Sequence, residues 1–443
     1  PEPGSDLELT VDVSDRHRAL IGIGASLAYS EDLIAAHPDK QALFDAMFVD
    51  SGFEAIRLRN RYETGTEDLS AVAEIVAAAT ERLGYEPSLL MTSGSPPAAL
   101  KENGERFCGS TDPACTLGRD AQGDFDYAGF AEHWRASLDA YATAGVVPTF
   151  VSIQNHPSWV PTDSTEQEAC WFLPTEGTTE LVGTDGVPVP AELPGYDAAL
   201  AAVRASAASV GDYQFVAAET AEWTLTAEYA PALTLGDLGA LAFTLYGFDA
   251  LSLDEGALEG LRNLAALGES SGLPILQTEM RSTGIETAAL AHYALAEADS
   301  GAYFHLDFVG LAAGDETPVT LIAVDDGAIE PLPNYHALAH FARHTEPGWL
   351  RVGTTSDAPS GLLVSAWLAP DQSALTLVLV NPTGESIDVT LNQPELELPI
   401  ADGQLLRTVF DGSERSAELG SVGSTGRVRV PGRSVVTVAL GAN

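Results

Sequence analysis

Glu279 closes the apolar run Leu273-Pro274-Ile275-Leu276-Gln277-Thr278, and Asn155 and His156 close another, Val146-Val147-Pro148-Thr149-Phe150-Val151-Ser152-Ile153-Gln154. Brought face to face, these groups could run acid–base and nucleophilic chemistry: the carboxylate attacks, the amide orients, the imidazole moves a proton. Imidazolium has an unperturbed pKa of about 6.5, and a carboxylate within a few Å is expected to raise it, which suits proton donation at neutral pH. A buried parallel strand reads as a short, continuous apolar run, and in α/β barrels the residues at its C-terminal end face the ligand.

The elements that must position these residues follow from the same pattern. Apolar runs beginning at Leu20, Phe53, Ser88, Val146, Tyr213, Ala240, Leu273 and Ala302 alternate with helical patterns such as Leu69 to Arg82 and Tyr127 to Ala144. Eight such units predict an α/β fold, a closed (β/α)8 TIM barrel over residues 19–345. From 346 to 443 the pattern changes to short alternating strands between Gly, Pro, Asn and Asp, the mark of an antiparallel β-sandwich. Leu7 to Val13 alternates in the same way, so residues 1–18 are assigned to that side domain. The connection from Ser158 to Pro194 is longer than ordinary loops and is expected to be functional.

Bulk composition narrows the partners. The net charge is -43, from 64 acidic against 21 basic residues, and the only lysines are Lys40 and Lys101. Such a surface repels nucleic acid and anionic membranes and fits a saline medium, where salt screens the self-repulsion. No run approaches the roughly 18 apolar residues of a membrane span. Pro1-Glu2-Pro3-Gly4-Ser5 reads as a mature terminus or linker stub from which any export signal has been removed, and the chain is expected to be secreted. A Cys108 to Cys115 bridge is consistent with that, and no zinc or other metal pattern and no cofactor fingerprint occurs.

Several motifs in chain order resemble glycoside hydrolase family 30. They are Gly22-Ile23-Gly24-Ala25-Ser26, Arg57-Leu58-Arg59-Asn60, Thr92-Ser93-Gly94-Ser95-Pro96-Pro97, Ser152-Ile153-Gln154-Asn155-His156-Pro157, Thr278-Glu279 and Pro347-Gly348-Trp349. The resemblance implies a barrel with an attached sandwich acting on a polysaccharide, with Glu279 as retaining nucleophile and Asn155 at the sugar 2-hydroxyl. The position that would hold the family's acid/base glutamate is His156. Residues that shape the family's sugar floor are replaced by Arg61, Gly94, Ser158, Thr244, Met280 and His305, with Arg281 beside the nucleophile.

Three readings of the changed donor stay open. His156 is the acid; or the acid is Glu219, Glu63, Asp307 or the substrate itself; or catalysis is lost and the cleft only binds a glycan or does chemistry outside glycoside hydrolysis. Arg57, Arg59, Arg61, His156, Arg281 and His305 fall at or just past strand ends, which would suit a uronate-bearing or sulfated glycan. For Arg57 and Arg59 a structural pairing with barrel acids is preferred. Tyr246, at the end of the sixth run, is a candidate substrate contact. Trp159 and Trp171 could stack on sugar or simply pack, whereas Trp134, Trp349 and Trp367 read as core. His336, His340 and His344 have helical spacing that can present metal ligands on one face, but without a nearby carboxylate pattern they read as a helix packed on the barrel rim.

Overall fold

The computed structural model describes residues 6–109, 112–161, 166–182, 187–252, 255–312, 319–325, 327–357, 361–393, 396 and 398–441. The reading of Pro1 to Ser5 as a terminus lies outside them. Eight strands close a parallel barrel: Gly22–Ser26, Ala55–Arg59, Ser88–Thr92, Phe150–Ser152, Gln214–Thr220, Ala240–Thr244, Ile275–Met280 and Ala302–His305. Each overlaps one of the eight apolar runs, because a strand covered by helices outside and packed side chains inside has no wet face. The interior is filled by Ala55, Leu90, Phe150, Val216, Ala240, Ala242, Leu276, Ala302 and Phe304. Close approach there demands small residues: a Cβ on Gly24 would lie 1.8 Å from the Ala55 carbonyl oxygen.

Helices such as Ser70–Leu83, Tyr127–Thr143, Tyr196–Ala207 and Glu255–Ser271 cover the barrel. Registers shift between Ala218 and Thr220, between Phe243 and Thr244, and between Gln277 and Met280, all toward the C-terminal ends of their strands. Such bulges re-aim side chains where a regular ladder would hide them.

The side domain is one nine-stranded sheet folded over its own core, which includes Leu7, Leu9, Val11, Leu377, Leu379, Val389 and Val438. The strand Asp6–Ala19 pairs antiparallel with Leu350–Ser356 on one side. Its other neighbour, Ile387–Asn392, runs parallel to it, a departure from the all-antiparallel expectation. Histidines stitch the barrel's last helices to this sheet. His292 Nδ1 lies 2.7 Å from Ser365 Oγ, and His340 lies 2.8 Å from Thr437 Oγ1 and 2.9 Å from Thr408 Oγ1. His336 Nδ1 lies 2.9 Å from Ser416 Oγ. No helix among the described residues is long and apolar enough to cross a membrane.

Candidate active site

The C-terminal strand ends open into a cavity of about 630 Å³. Glu279, at the end of the seventh strand, is 5% exposed and surrounded by donors. Tyr246 donates to Oε1 at 2.8 Å, Asn155 Nδ2 donates to Oε2 at 3.1 Å, and Arg57 Nη1 lies 2.9 Å from Oε2. Burial alone would raise the Glu279 pKa, but Arg57, His156 and these hydrogen bonds hold it below the ordinary glutamate value. Glu279 is therefore a carboxylate at neutral pH. Tyr246 keeps its proton, because burial and the adjacent Glu279 push its pKa far above the usual phenol range.

His156 Nε2 stands 3.9 Å from Glu279 Oε1 and 3.4 Å from Thr244 Oγ1. The Thr244 hydroxyl sits 2.6 Å from the Ala221 carbonyl, to which it must donate, so its lone pair is left for an Nε2–H of His156. His156 has a backbone φ of 49° and its N–H donates to the Glu219 carbonyl at 3.0 Å. That left-handed turn swings the imidazole over the cavity, with its ring edge-on to Tyr246 at 5.4 Å. Contrary to the expected upward shift, the His156 pKa is lowered: desolvation outweighs the pull of Glu279 and Glu219, and Arg57 adds to the lowering.

Of the alternative acids, Glu219 is fully buried behind the cavity. Arg57 holds its Oε1 at 2.9 Å and Thr92 its Oε2 at 2.6 Å. Glu63 is half-exposed and paired with Arg106, and Asp307 is paired with Arg281 at 2.9 Å. Neither lines the cavity. Burial raises the Asp307 pKa against the pull of Arg281.

Residues 350–438 match the family model of the glycosyl hydrolase family 30 beta sandwich domain. Solved structures share the whole architecture. The glycoside hydrolase family 30 subfamily 8 xylanase Xyn30A from Clostridium acetobutylicum superposes with a TM-score of 0.73 at 18% identity, covering 98% of this chain and 100% of that one. The family 30 xylanase C catalytic domain from Talaromyces cellulolyticus gives 0.74 at 17%, covering 98% and 99%. The endo-β1,6-glucanase BT3312 gives 0.68 at 14%, covering 98% and 94%. No curated protein matches the sequence. The fold is thus that of family 30 structures, a TIM barrel bearing a family 30-type sandwich.

The remaining sequence candidates divide. Arg59, Trp159 and Arg281 line the cavity with Asn155, His156, Tyr246 and Glu279. Arg61 lies off it, held by Asp32 at 3.1 and 2.9 Å. His305 is fully buried and its pKa is driven down to about 4 by desolvation, so it stays neutral in the barrel wall. Trp171 packs against the Cys108–Cys115 disulfide cluster. Neither Trp171 nor His305 lines the cavity.

Other cavity residues escaped sequence reasoning. Glu168 is the most consequential: it sits in a two-residue strand, Gln167–Glu168, paired antiparallel with Phe107–Cys108. This ribbon is anchored by the disulfide and by the buried Lys101, whose Nζ lies 3.2 Å from Ser95 Oγ and against the Ala169 carbonyl. It carries Phe107 and Glu168 to the rim, opposite Tyr29. Tyr29 stacks under the Arg59 guanidinium at 4.3 Å, and its phenol is pushed up to about 12 by burial and the Glu168 carboxylate. The paired cysteines were the one sequence signal that this loop is fixed.

Proposed function

We propose that the protein is a family 30-type glycoside hydrolase that cleaves a polysaccharide with retention, Glu279 as nucleophile and His156 as acid and base. The observation that carries this reading is the pairing in one cleft of an ionised Glu279, clad by three donors, with the His156 Nε2 atom 3.9 Å away. That separation is nearer the roughly 5–5.5 Å between the carboxyl groups of retaining enzymes than the roughly 6.5–9.5 Å of inverting ones, which supports retention. In the first step Glu279 attacks the anomeric carbon while protonated His156 gives its proton to the leaving oxygen. In the second, neutral His156 takes a proton from water, which attacks the same carbon and frees Glu279. Burial of the imidazole favours the neutral form the second step needs.

A neutral glycan suits the cleft better than an anionic one. The lining carries Arg57, Arg59 and Arg281 but also Glu166, Glu168, Glu222 and Glu279. Each of those arginines already faces a carboxylate of the chain, Arg57 with Glu219 and Glu279, Arg59 with Glu168, Arg281 with Asp307. Xylan and β1,6-glucan, the substrates named for its structural neighbours, are the first to try. The disulfide supports an exported protein.

The test is product release from these polysaccharides by wild type, Glu279→Gln and His156→Ala. Glu279→Gln should remove turnover by roughly 10⁴-fold or more and His156→Ala by about 10²–10⁴-fold, with binding retained. Turnover that survives Glu279→Gln overturns the assignment.

A further inference from the structure

Glu219 is a buried titratable group that the mechanism above leaves unused, and it is tied to both catalytic residues. Its side chain is fully buried. Arg57 Nε and Nη2 converge on Oε1 at 3.2 and 2.9 Å, and the Thr92 hydroxyl holds Oε2 at 2.6 Å. The same guanidinium sends its remaining nitrogen, Nη1, to Glu279 Oε2 at 2.9 Å. An arginine that faces a single carboxylate tends to grip both of its oxygens in a two-pronged fork. With Glu219 on the Nε and Nη2 edge, Arg57 offers Glu279 one prong only. Glu279 Oε1 therefore stays with Tyr246 on the side of His156, and the guanidinium charge is divided between two carboxylates. The main chain makes the second link. Glu219 is the extra residue in the bulge between Ala218 and Thr220, and its carbonyl accepts the His156 N–H at 3.0 Å. The φ angles of Glu219 and His156 are 51° and 49°, left-handed conformations that persist only where neighbours impose them.

We propose that Glu219 is a positioning residue for both catalytic groups, its carboxylate setting Arg57 so that a single prong reaches Glu279 and its carbonyl fixing the turn that presents His156. The assignment rests on the hydrolase reading above and adds to it the residue that ties nucleophile and proton donor into one unit. It also gives a purpose to an acid that ends a barrel strand yet does not line the cavity: Glu219 acts through Arg57 and not on substrate. Without its charge, Arg57, itself 3% exposed, would face Glu279 as its one anionic partner, and the tighter ion pair would hold back the attacking carboxylate.

The test uses the full chain with Glu219→Gln, which keeps the shape but not the charge, and with Glu219→Asp, which keeps the charge but falls short of Arg57. Turnover is read on polysaccharides, xylan and β1,6-glucan first, and the His156 titration by imidazole NMR without substrate. The charged groups acting on that imidazole are Glu279, Glu219 and Arg57. Both variants should lower kcat by about 10–10²-fold with KM little changed, as for catalytic groups displaced by about 1 Å. Glu219→Gln should also move the His156 midpoint down, since one of the two charges that support protonation is gone, whereas Glu219→Asp should leave it near that of wild type. A merely structural Glu219 would lower the unfolding temperature and leave kcat, measured well below it, unmoved, and that result overturns the assignment. Should neither variant fold, Thr92→Val, which strips the hydroxyl from Oε2 and keeps every charge, should still lower kcat, and an unchanged kcat there overturns it equally. If wild type turns over a glycan and the variants match it, Glu219 alone is misassigned. If no polysaccharide is turned over, the hydrolase reading falls and this one with it.

Discussion

At the scale of single residues, the decisive balance is between burial and charge at His156. Desolvation wins over Glu279, and the imidazole titrates below its ordinary 6.5. Glu279, held below its ordinary 4.5, ionises earlier still. The productive free enzyme needs Glu279 deprotonated and His156 protonated. Its kcat/KM should therefore peak on the acid side, with an alkaline limb falling below pH 6.5. An imidazole NMR titration checks this without substrate: the midpoint should lie below 6.5 and drop further in Glu279→Gln, which removes the charge that supports protonation. A midpoint that rises in that variant would contradict the balance. Both residues were legible as polar ends of apolar runs. The sign of the histidine shift was not, because a sequence shows the neighbouring carboxylate but not the depth of the pocket. Glu168 was invisible for a related reason: its strand is two residues long, and its partner Phe107–Cys108 lies far back in the chain.

At the scale of elements, the eight barrel strands were readable because each is centred on a short, largely apolar run. The ribbon that shapes the cleft was not, since irregular loops carry no period to read. The helix Pro333–Ala342 was read as rim packing from its spaced histidines, and the structure shows what they pack against: hydroxyls of the sandwich. Burial drives His292 and His340 down to about 3 and His336 to about 4, with Arg351 and Arg343 adding to the effect. These folded pKa values lie below the unfolded 6.5, so the stability they contribute is present above pH 6.5 and drains away as pH falls toward 3–4. Glu54, raised to about 8 by burial, works the other way, as do Glu31 and Asp307, which burial also raises. Thermal unfolding should thus lose several °C between pH 6.5 and 4, on the order of 1 kcal/mol or more. Combined His292→Gln and His340→Gln substitutions, which keep a hydrogen-bonding amide, should flatten that acid limb even if they lower stability at pH 7. An unchanged slope would place the acid sensitivity elsewhere.

For the whole molecule, a net charge of -43 sets the response to salt. Self-repulsion among surface carboxylates weakens as the screening length shrinks from about 10 Å at 0.1 M to about 3 Å at 1 M. The midpoint of thermal unfolding should rise over that range of sodium chloride, and a flat or falling midpoint would show that the acidic surface carries no such burden. Fold class was legible at this scale because both periodicities, continuous and alternating, run long enough to be counted. The parallel pairing inside the sandwich was not, since alternation reveals a strand's wet face but not its neighbour's direction. That pairing has a consequence for synthesis. The strand Asp6–Ala19 leaves the ribosome long before its partners Leu350–Ser356 and Ile387–Asn392, and the Glu8 backbone N–H bonds to Asp357 across 349 residues. Until the last quarter of the chain emerges, Leu7, Leu9, Val11 and Val13 have no apolar face to meet and an unpaired strand edge is on offer to other chains. The nascent protein needs shelter for this strand until residues 350–392 have emerged, and a chain cut short before residue 350 would keep a sticky strand with nothing to close over it.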